Sequence, residues 1–183
     1  MRVYTIEEHQ HRFASWAASR AAGRGKFGND VGIATLKQAG MRRLIGDPSK
    51  VLPLPEKFDV AHREWRNAVI AASRDFTDEV THGVAAKMIN IYLKAVYVSG
   101  AYHDHPRVAA MHPPIDRFLL NSLCKKNEGG LHAFWKQAVK TGWTNFSSEE
   151  YETVIHNIRT VLGGKALWRI EEHWQGYQDV KNS

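Results

Sequence analysis

A lysine and an aspartate stand in two short segments whose residues could do chemistry at a sugar carbon. Lys87 follows Gly83 by about one helical turn, and Asp116 directly follows the proline-stiffened run His112-Pro113-Pro114-Ile115. A lysine amine can displace a leaving group at a sugar C1′ and form a Schiff base, while a carboxylate can stabilise the cationic sugar or move protons. We therefore predict that Lys87 and Asp116 face one cleft as a catalytic pair.

The segment just before Lys87 predicts a site for a nucleic-acid phosphate. His82, Gly83, Val84 and Ala85 form a glycine-containing turn directly before a predicted helix. Unbonded N–H groups at a helix N-terminus, together with the helix dipole, attract phosphate oxygens. These four residues are the predicted nucleic-acid-binding residues. A structural interpretation stays open for the catalytic pair, because Lys87 could be a solvated lysine and Asp116 an acid that complements a helix dipole.

Taken together, the two segments resemble the signature of the helix-hairpin-helix (HhH-GPD) DNA glycosylase superfamily. Its hairpin reads L-P-G-V-G-x-K-x-A-x-x-x-L, and the matching residues here are Gly83, Val84, Lys87 and Leu93. Its aspartate motif reads V-D-x-H-V, to which Ile115-Asp116 with Phe118 and Leu119 is similar. His82 replaces the hairpin proline and Ala85 the second glycine. Lys87 and Asp116 are 29 positions apart, a long spacing that is nearest to that of the archaeal 8-oxoguanine DNA glycosylases.

This resemblance implies a DNA N-glycosylase with AP-lyase activity that removes an oxidised or modified base from double-stranded DNA. In the bifunctional members of the family the hairpin lysine is the nucleophile and the aspartate is its partner, which would assign those roles to Lys87 and Asp116. The interpretation requires no metal and no organic cofactor. Two alternatives stay open: a non-catalytic protein that binds nucleic acid or a partner with the same fold, and an enzyme that acts on a free modified nucleobase or nucleotide.

The elements that must position these residues all have helical periodicity, so we predict an all-α protein with one helical domain over residues 1–183. The helix-hairpin-helix element and the catalytic loop fall within residues 75–124. Capping boxes at Thr5/Glu8 and Ser147/Glu150 predict two helix starts. The other predicted features are a helix from Asn29 or Asp30 to Ile45, a helix over Asp59–Ser73, a helix from about Gly83, a loop over Ser99–Pro114 and helices after Ile115, Leu131 and Ala166.

Side-chain periodicity also predicts which faces are buried. The first helix would bury a stripe formed by Ile6, Phe13, Trp16 and Ala17, and the helix from Gly83 would bury Ile89, Tyr92, Leu93, Val96 and Tyr97. On the latter helix Lys87, Asn90 and Lys94 share the opposite, polar face. Trp168 and Trp174 are interpreted as structural, and Trp65, Trp135 and Trp143 as packing residues first and base-stacking residues second.

Composition limits the class of protein. The formal net charge of +6 and the isoelectric point near 9.5 permit a polyanionic partner, and the residues predicted to touch phosphates are Arg20, Arg24, Lys26, Lys37, Arg42, Arg43, Lys125 and Lys126. No apolar run approaches the length of a membrane span, and a cytoplasmic location is expected. Cys124 is the single cysteine. The loop residues His103, Asp104, His105 and His112 are interpreted as a polar loop rather than as a metal site.

Overall fold

The computed structural model describes residues 3–23 and 25–176, and within them every regular element is helical. The α-helices are α1 (Ile6–Gly23), α2 (Asn29–Gln38), α3 (Pro48–Val51), α4 (Phe58–Ser73), α5 (His82–Leu93), α6 (Pro106–Ala109), α7 (Arg117–Lys125), α8 (His132–Thr141) and α9 (Ser148–Leu162). Short 3₁₀ helices span Met41–Leu44, Pro55–Lys57, Glu128–Gly130, Trp143–Asn145 and Leu167–His173. The all-α prediction is confirmed.

Helix α5 lies at the centre of the fold. It packs against α1, α4 and α9, and the five apolar residues predicted to be buried along it are all at most 3% exposed. Two residues of its predicted polar face are buried instead of facing solvent: Lys87 is 5% exposed and Asn90 is 1% exposed. Other parts of the protein cover most of α5, so Lys87 and Asn90 pair with protein groups instead of water.

Helix α1 buries a different face from the predicted one. Ile6, Phe13 and Trp16 are 64%, 55% and 49% exposed, whereas the small side chains of α1 face inward. Those inward residues are Ala14, Ser15, Ala18, Ser19 and Ala22. Small side chains let two helix backbones approach closely, and α1 uses them to pack against α5 and α2. The prediction was wrong because it assigned burial by side-chain size.

Several predicted boundaries also change. Helix α2 ends at Gln38 rather than Ile45, and its N-cap is Gly28 instead of Asn29 or Asp30. The predicted loop after Ser99 is partly helical, because α5 continues as a π-helix over Lys94–Tyr102, which is interrupted at Gly100 and Ala101, the latter with a left-handed backbone (φ 69°). The helix-hairpin-helix element is not confirmed, since the whole segment 74–81 separates α4 from α5. No helix in the described ranges is long and apolar enough to cross a bilayer.

Candidate active site

The structure brings Lys87 and Asp116 together although they are far apart in sequence. Lys87 Nζ lies 3.1 Å from Asp116 Oδ2, and the two side chains are only 5% and 10% exposed. Both line a cavity of about 230 Å³, whose other lining residues are Ala21, Ile91, Lys94, Pro114, Glu171 and Trp174. The predicted convergence of the lysine and the aspartate on one cleft is therefore observed.

Asp116 is placed by the helix that it begins. It is the N-cap of α7, and its Oδ1 accepts a hydrogen bond of 3.0 Å from the Leu119 N–H. Oδ2 accepts from Lys87 Nζ and, at 3.0 Å, from Trp174 Nε1. Burial opposes ionisation of the carboxyl, but the Lys87 charge and these hydrogen bonds outweigh burial and hold the pKa of Asp116 below its ordinary value. The site therefore keeps a negative charge beside Lys87.

Lys87 contacts an aromatic ring as well as the carboxylate of Asp116. Its ammonium lies 4.6 Å from the centroid of the Trp143 ring, a cation–π contact from the turn before α9. A second ion pair, between Lys94 and Glu171, lines the same cavity. Burial raises the pKa of the Glu171 carboxyl, although the neighbouring Lys94 acts in the opposite direction. The cavity wall thus carries two lysines (Lys87 and Lys94), two carboxyl groups (Asp116 and Glu171) and the indole of Trp174.

A buried hydrogen-bond network connects the two segments that carry the pair. Asn90, one turn beyond Lys87, donates to the Pro113 carbonyl at 2.9 Å and to the Tyr151 hydroxyl at 3.0 Å, and it accepts from His62 at 2.9 Å. Since Pro113 lies three residues before Asp116, the Asn90 amide fixes α5 against the loop that delivers the carboxylate. The distance between Lys87 and Asp116 is held by this contact.

The same network continues to the surface through His112. Its Nδ1 lies 3.1 Å from the Tyr151 hydroxyl and its Nε2 lies 2.9 Å from Asp59 Oδ1. Because Asn90 donates to the Tyr151 oxygen, the hydroxyl hydrogen is directed at His112, which then donates to Asp59. Arg159 completes the network by donating to both oxygens of Asp59 at 2.8 and 2.5 Å. His112 is therefore a structural residue of the loop, with both ring nitrogens in use.

Other parts of the protein cover the predicted phosphate-binding turn, residues 82–85. Thr81 caps α5 by accepting from the Val84 N–H at 3.3 Å, and the Ala85 N–H bonds to the Thr81 carbonyl. Val84 and Ala85 are fully buried, and His82 is half-buried. A Cβ atom on Gly83 would lie 1.8 Å from the Trp143 carbonyl oxygen. Glycine is required here because the turn before α9 packs against it, which corrects the expectation of an open backbone.

The remaining site predictions have mixed outcomes. Trp65, Trp135 and Trp143 are packing residues, each at most 7% exposed. Trp174, interpreted as mainly structural, also donates a hydrogen bond to Asp116 in the cavity. Arg24 lies outside the described residues, and the other predicted phosphate-binding lysines and arginines are exposed on the surface. Within the described ranges, no three His, Cys, Asp or Glu side chains come together as a metal site would need.

Sequence reasoning missed Lys94, Glu171 and Trp174. Lys94 had a usable signal, because it follows Lys87 by two helical turns and so shares its face. Glu171 and Trp174 had none, since nothing local indicates that the C-terminal 3₁₀ helix returns to α5. Comparisons of the chain with protein-family models, with curated proteins and with solved structures found no match. The function must therefore be argued from the chemistry of the cavity.

Proposed function

We propose that this protein is a DNA N-glycosylase with AP-lyase activity, which removes an oxidised or modified base from double-stranded DNA. The observation that carries the proposal is the buried pair of Lys87 and Asp116, 3.1 Å apart in a cavity that also contains an indole. The resemblance to the HhH-GPD superfamily assigns catalytic roles to the same two residues. The positive net charge of +6 is compatible with a DNA partner.

Lys87 and Asp116 would have different roles in base removal. Lys87 first passes one ammonium proton to the departing base, because only the neutral amine is a nucleophile, and Nζ then forms a bond to C1′ as the bond from C1′ to the base breaks. The Asp116 carboxylate, held ionised by its hydrogen bonds, stabilises the positive charge that develops on the sugar. A second proton then passes from nitrogen to the ring oxygen, the furanose opens, and a Schiff base remains on Lys87.

The rest of the cavity would receive the extruded base. An enzyme that acts on a base within a duplex must take it out of the stack and hold it against apolar or aromatic faces. Trp174 offers such a face beside Asp116, and Lys94 and Glu171 offer polar groups at the cavity wall. A volume of about 230 Å³ is below the usual range for drug-sized ligands, which favours a single ring system as the occupant.

Borohydride trapping on duplexes with different damaged bases tests this proposal. The wild-type protein is expected to give a covalent protein–DNA adduct whose reduced linkage maps to Lys87. Lys87→Arg keeps the positive charge beside Asp116 but removes the amine nucleophile, so it should form no adduct. Lys94→Gln is the matched control, because Lys94 lies in the same cavity and is not assigned as the nucleophile.

The outcomes separate the parts of the proposal. An adduct that maps to Lys94 would reject the assignment of the nucleophile. Base release without trapping, still dependent on Asp116, would leave a glycosylase without lyase activity, in which Asp116 activates water. Absence of both activities on every damaged duplex would reject the enzyme and favour a non-catalytic binding protein.

A further inference from the structure

Helix α1 presents a pair of aromatic side chains to solvent. Phe13 and Trp16 are 55% and 49% exposed, and their ring centroids are 6.1 Å apart. The inward face of α1 is made of alanine, serine, glycine and one histidine, His11, so the two exposed rings are not part of the core. Adjacent exposed aromatic residues indicate a binding surface, since large apolar groups are otherwise withdrawn from water.

Two arginines flank the aromatic pair. Arg12 and Arg20 lie four residues before and after Trp16, so the three side chains share one stripe of the helix. Arg12 is 66% exposed, and its ion pair with Glu8 at the surface is of a kind that contributes little stability. Behind this stripe, burial lowers the pKa of His11; the charges of Arg42, Lys37 and Arg12 lower it further, whereas the Glu8 charge raises it. Arg12, Arg20, Lys37 and Arg42 thus outnumber the two acidic residues of α1, Glu7 and Glu8.

The aromatic pair lies on the same helix as one wall residue of the cavity that holds Lys87 and Asp116. Ala17 and Ala21 follow Phe13 by one and two turns along the same side of α1, and Ala21 lines the cavity. With a rise of 1.5 Å per residue, Phe13 lies about 12 Å along the helix from Ala21. That length corresponds to about three or four base steps of a DNA strand at 3.4 Å each.

We infer that Arg12, Phe13, Trp16 and Arg20, here called the α1 aromatic surface, bind the DNA strand beside the extruded nucleotide. Phe13 and Trp16 stack on bases that lose their neighbour when the target base leaves the duplex, and the two arginines contact the flanking phosphates. Aromatic side chains interleaved with basic ones are the usual means of holding unstacked bases without sequence preference. The inference rests on the proposed glycosylase function.

Binding to a duplex with a non-cleavable abasic analogue tests the inference without any need for catalysis. The double variant Phe13→Ala/Trp16→Ala should bind this duplex at least about tenfold more weakly than the wild type, measured by fluorescence anisotropy. The matched control is Val60→Ala/Phe76→Ala, which removes exposed apolar groups (54% and 45% exposed) from other elements and should leave the affinity within about twofold. Thermal unfolding of each variant checks that it is folded.

The arginines are tested by salt dependence. Arg12→Gln/Arg20→Gln should lower the slope of log K against log salt by about 1.8, since each lost phosphate contact removes about 0.9. An unchanged slope would overturn the assignment of phosphate contacts to these arginines.

Three further outcomes decide between the surface and the enzyme. An unchanged affinity of Phe13→Ala/Trp16→Ala rejects the surface, and trapping at Lys87 in the same experiment would leave the proposed enzyme standing. Weakened binding by this variant, with no trapping by the wild type on any duplex, would support the surface and reject the glycosylase. A wild-type dimer in sedimentation that becomes a monomer in Phe13→Ala/Trp16→Ala would assign the surface to a second copy of the chain and overturn its assignment to DNA.

Discussion

Lys87 and Asp116 form an ion pair that water hardly reaches, and such a pair is seldom explained by stability. Removing two charges from water costs free energy that their mutual attraction returns only in part. An apolar pair of similar volume would serve the core of this helical protein at least as well. The hydrogen bonds from the Leu119 amide and Trp174 add to the preference for a charged Asp116. The position is therefore arranged for a carboxylate, in keeping with the proposed role beside a cationic sugar.

Asp116→Asn separates the charge of this residue from its role as a helix cap. Asparagine caps a helix as well as aspartate does, so the contact with the Leu119 amide can persist. We expect single-turnover base release to fall by about 100-fold or more, because the developing positive charge loses its partner. The melting temperature should also fall, since Lys87 keeps a buried charge without a counter-ion.

Asp116→Ala is the matched comparison. It should lose a similar amount of activity and about 1 kcal/mol more stability, because the cap is lost as well. Base release by Asp116→Asn at the wild-type rate would remove Asp116 from the mechanism.

At the scale of elements, the first turn of α5 is a packing junction. The Trp143–Asn145 turn lies against Gly83, and the Thr81 hydroxyl donates to the Thr144 carbonyl at 2.6 Å. This junction places the Trp143 ring over Lys87, so the turn before α9 and helix α5 are positioned together. The close approach of the Trp143–Asn145 turn to the backbone of α5 explains the glycine at position 83.

Gly83→Ala tests that explanation. An added Cβ would overlap the Trp143 carbonyl, so we expect a loss of about 1–3 kcal/mol in the free energy of unfolding, measured by chemical denaturation. Gly100→Ala is the control, because nothing lies within 4 Å of a Cβ there and its φ of −88° suits alanine. An unchanged stability of Gly83→Ala, together with weaker DNA binding, would instead support the phosphate site first expected from the sequence.

For the molecule as a whole, the buried histidines predict how stability depends on pH. Burial lowers the pKa of His62 and of His112 from 6.5, with smaller effects from neighbouring charges. The unfolded chain therefore binds protons that the folded chain excludes, and folding becomes less favourable as pH falls. Glu171 acts in the opposite direction, because burial raises the pKa of its carboxyl, but it is one group against the two fully buried histidines, and burial also lowers the pKa of His11 and of His82.

The expected stability is constant above about pH 7 and decreases below pH 6.5, and the protons of His62 and His112 alone give a slope of about 2.7 kcal/mol per pH unit, to which His11 and His82 add. Urea denaturation between pH 7.5 and 5.0 measures this slope. His112→Gln should reduce the slope by up to half, whereas His156→Gln at an exposed position should leave it unchanged. A flat profile would show that the buried network tolerates protonation.

Elements whose signals are local could be predicted from the amino-acid sequence. The Ser147/Glu150 capping box and the apolar stripe of α9 are present as predicted, and Asp116 stands at the start of a helix. The buried apolar face of α5 was also predicted, because a period of 3.6 residues places those side chains on one side whatever packs against them. The candidate pair was found by its residue types and their local context.

The surroundings of the pair and the buried face of α1 depend instead on tertiary packing. Trp143, Glu171 and Trp174 reach Lys87 and Asp116 from distant parts of the chain, and no local pattern encodes such a meeting. Helix α1 turned its aromatic residues outward because close packing on α5 required small side chains. Burial depends on how near a neighbouring helix can approach, and that distance is a property of two elements together rather than of either sequence alone.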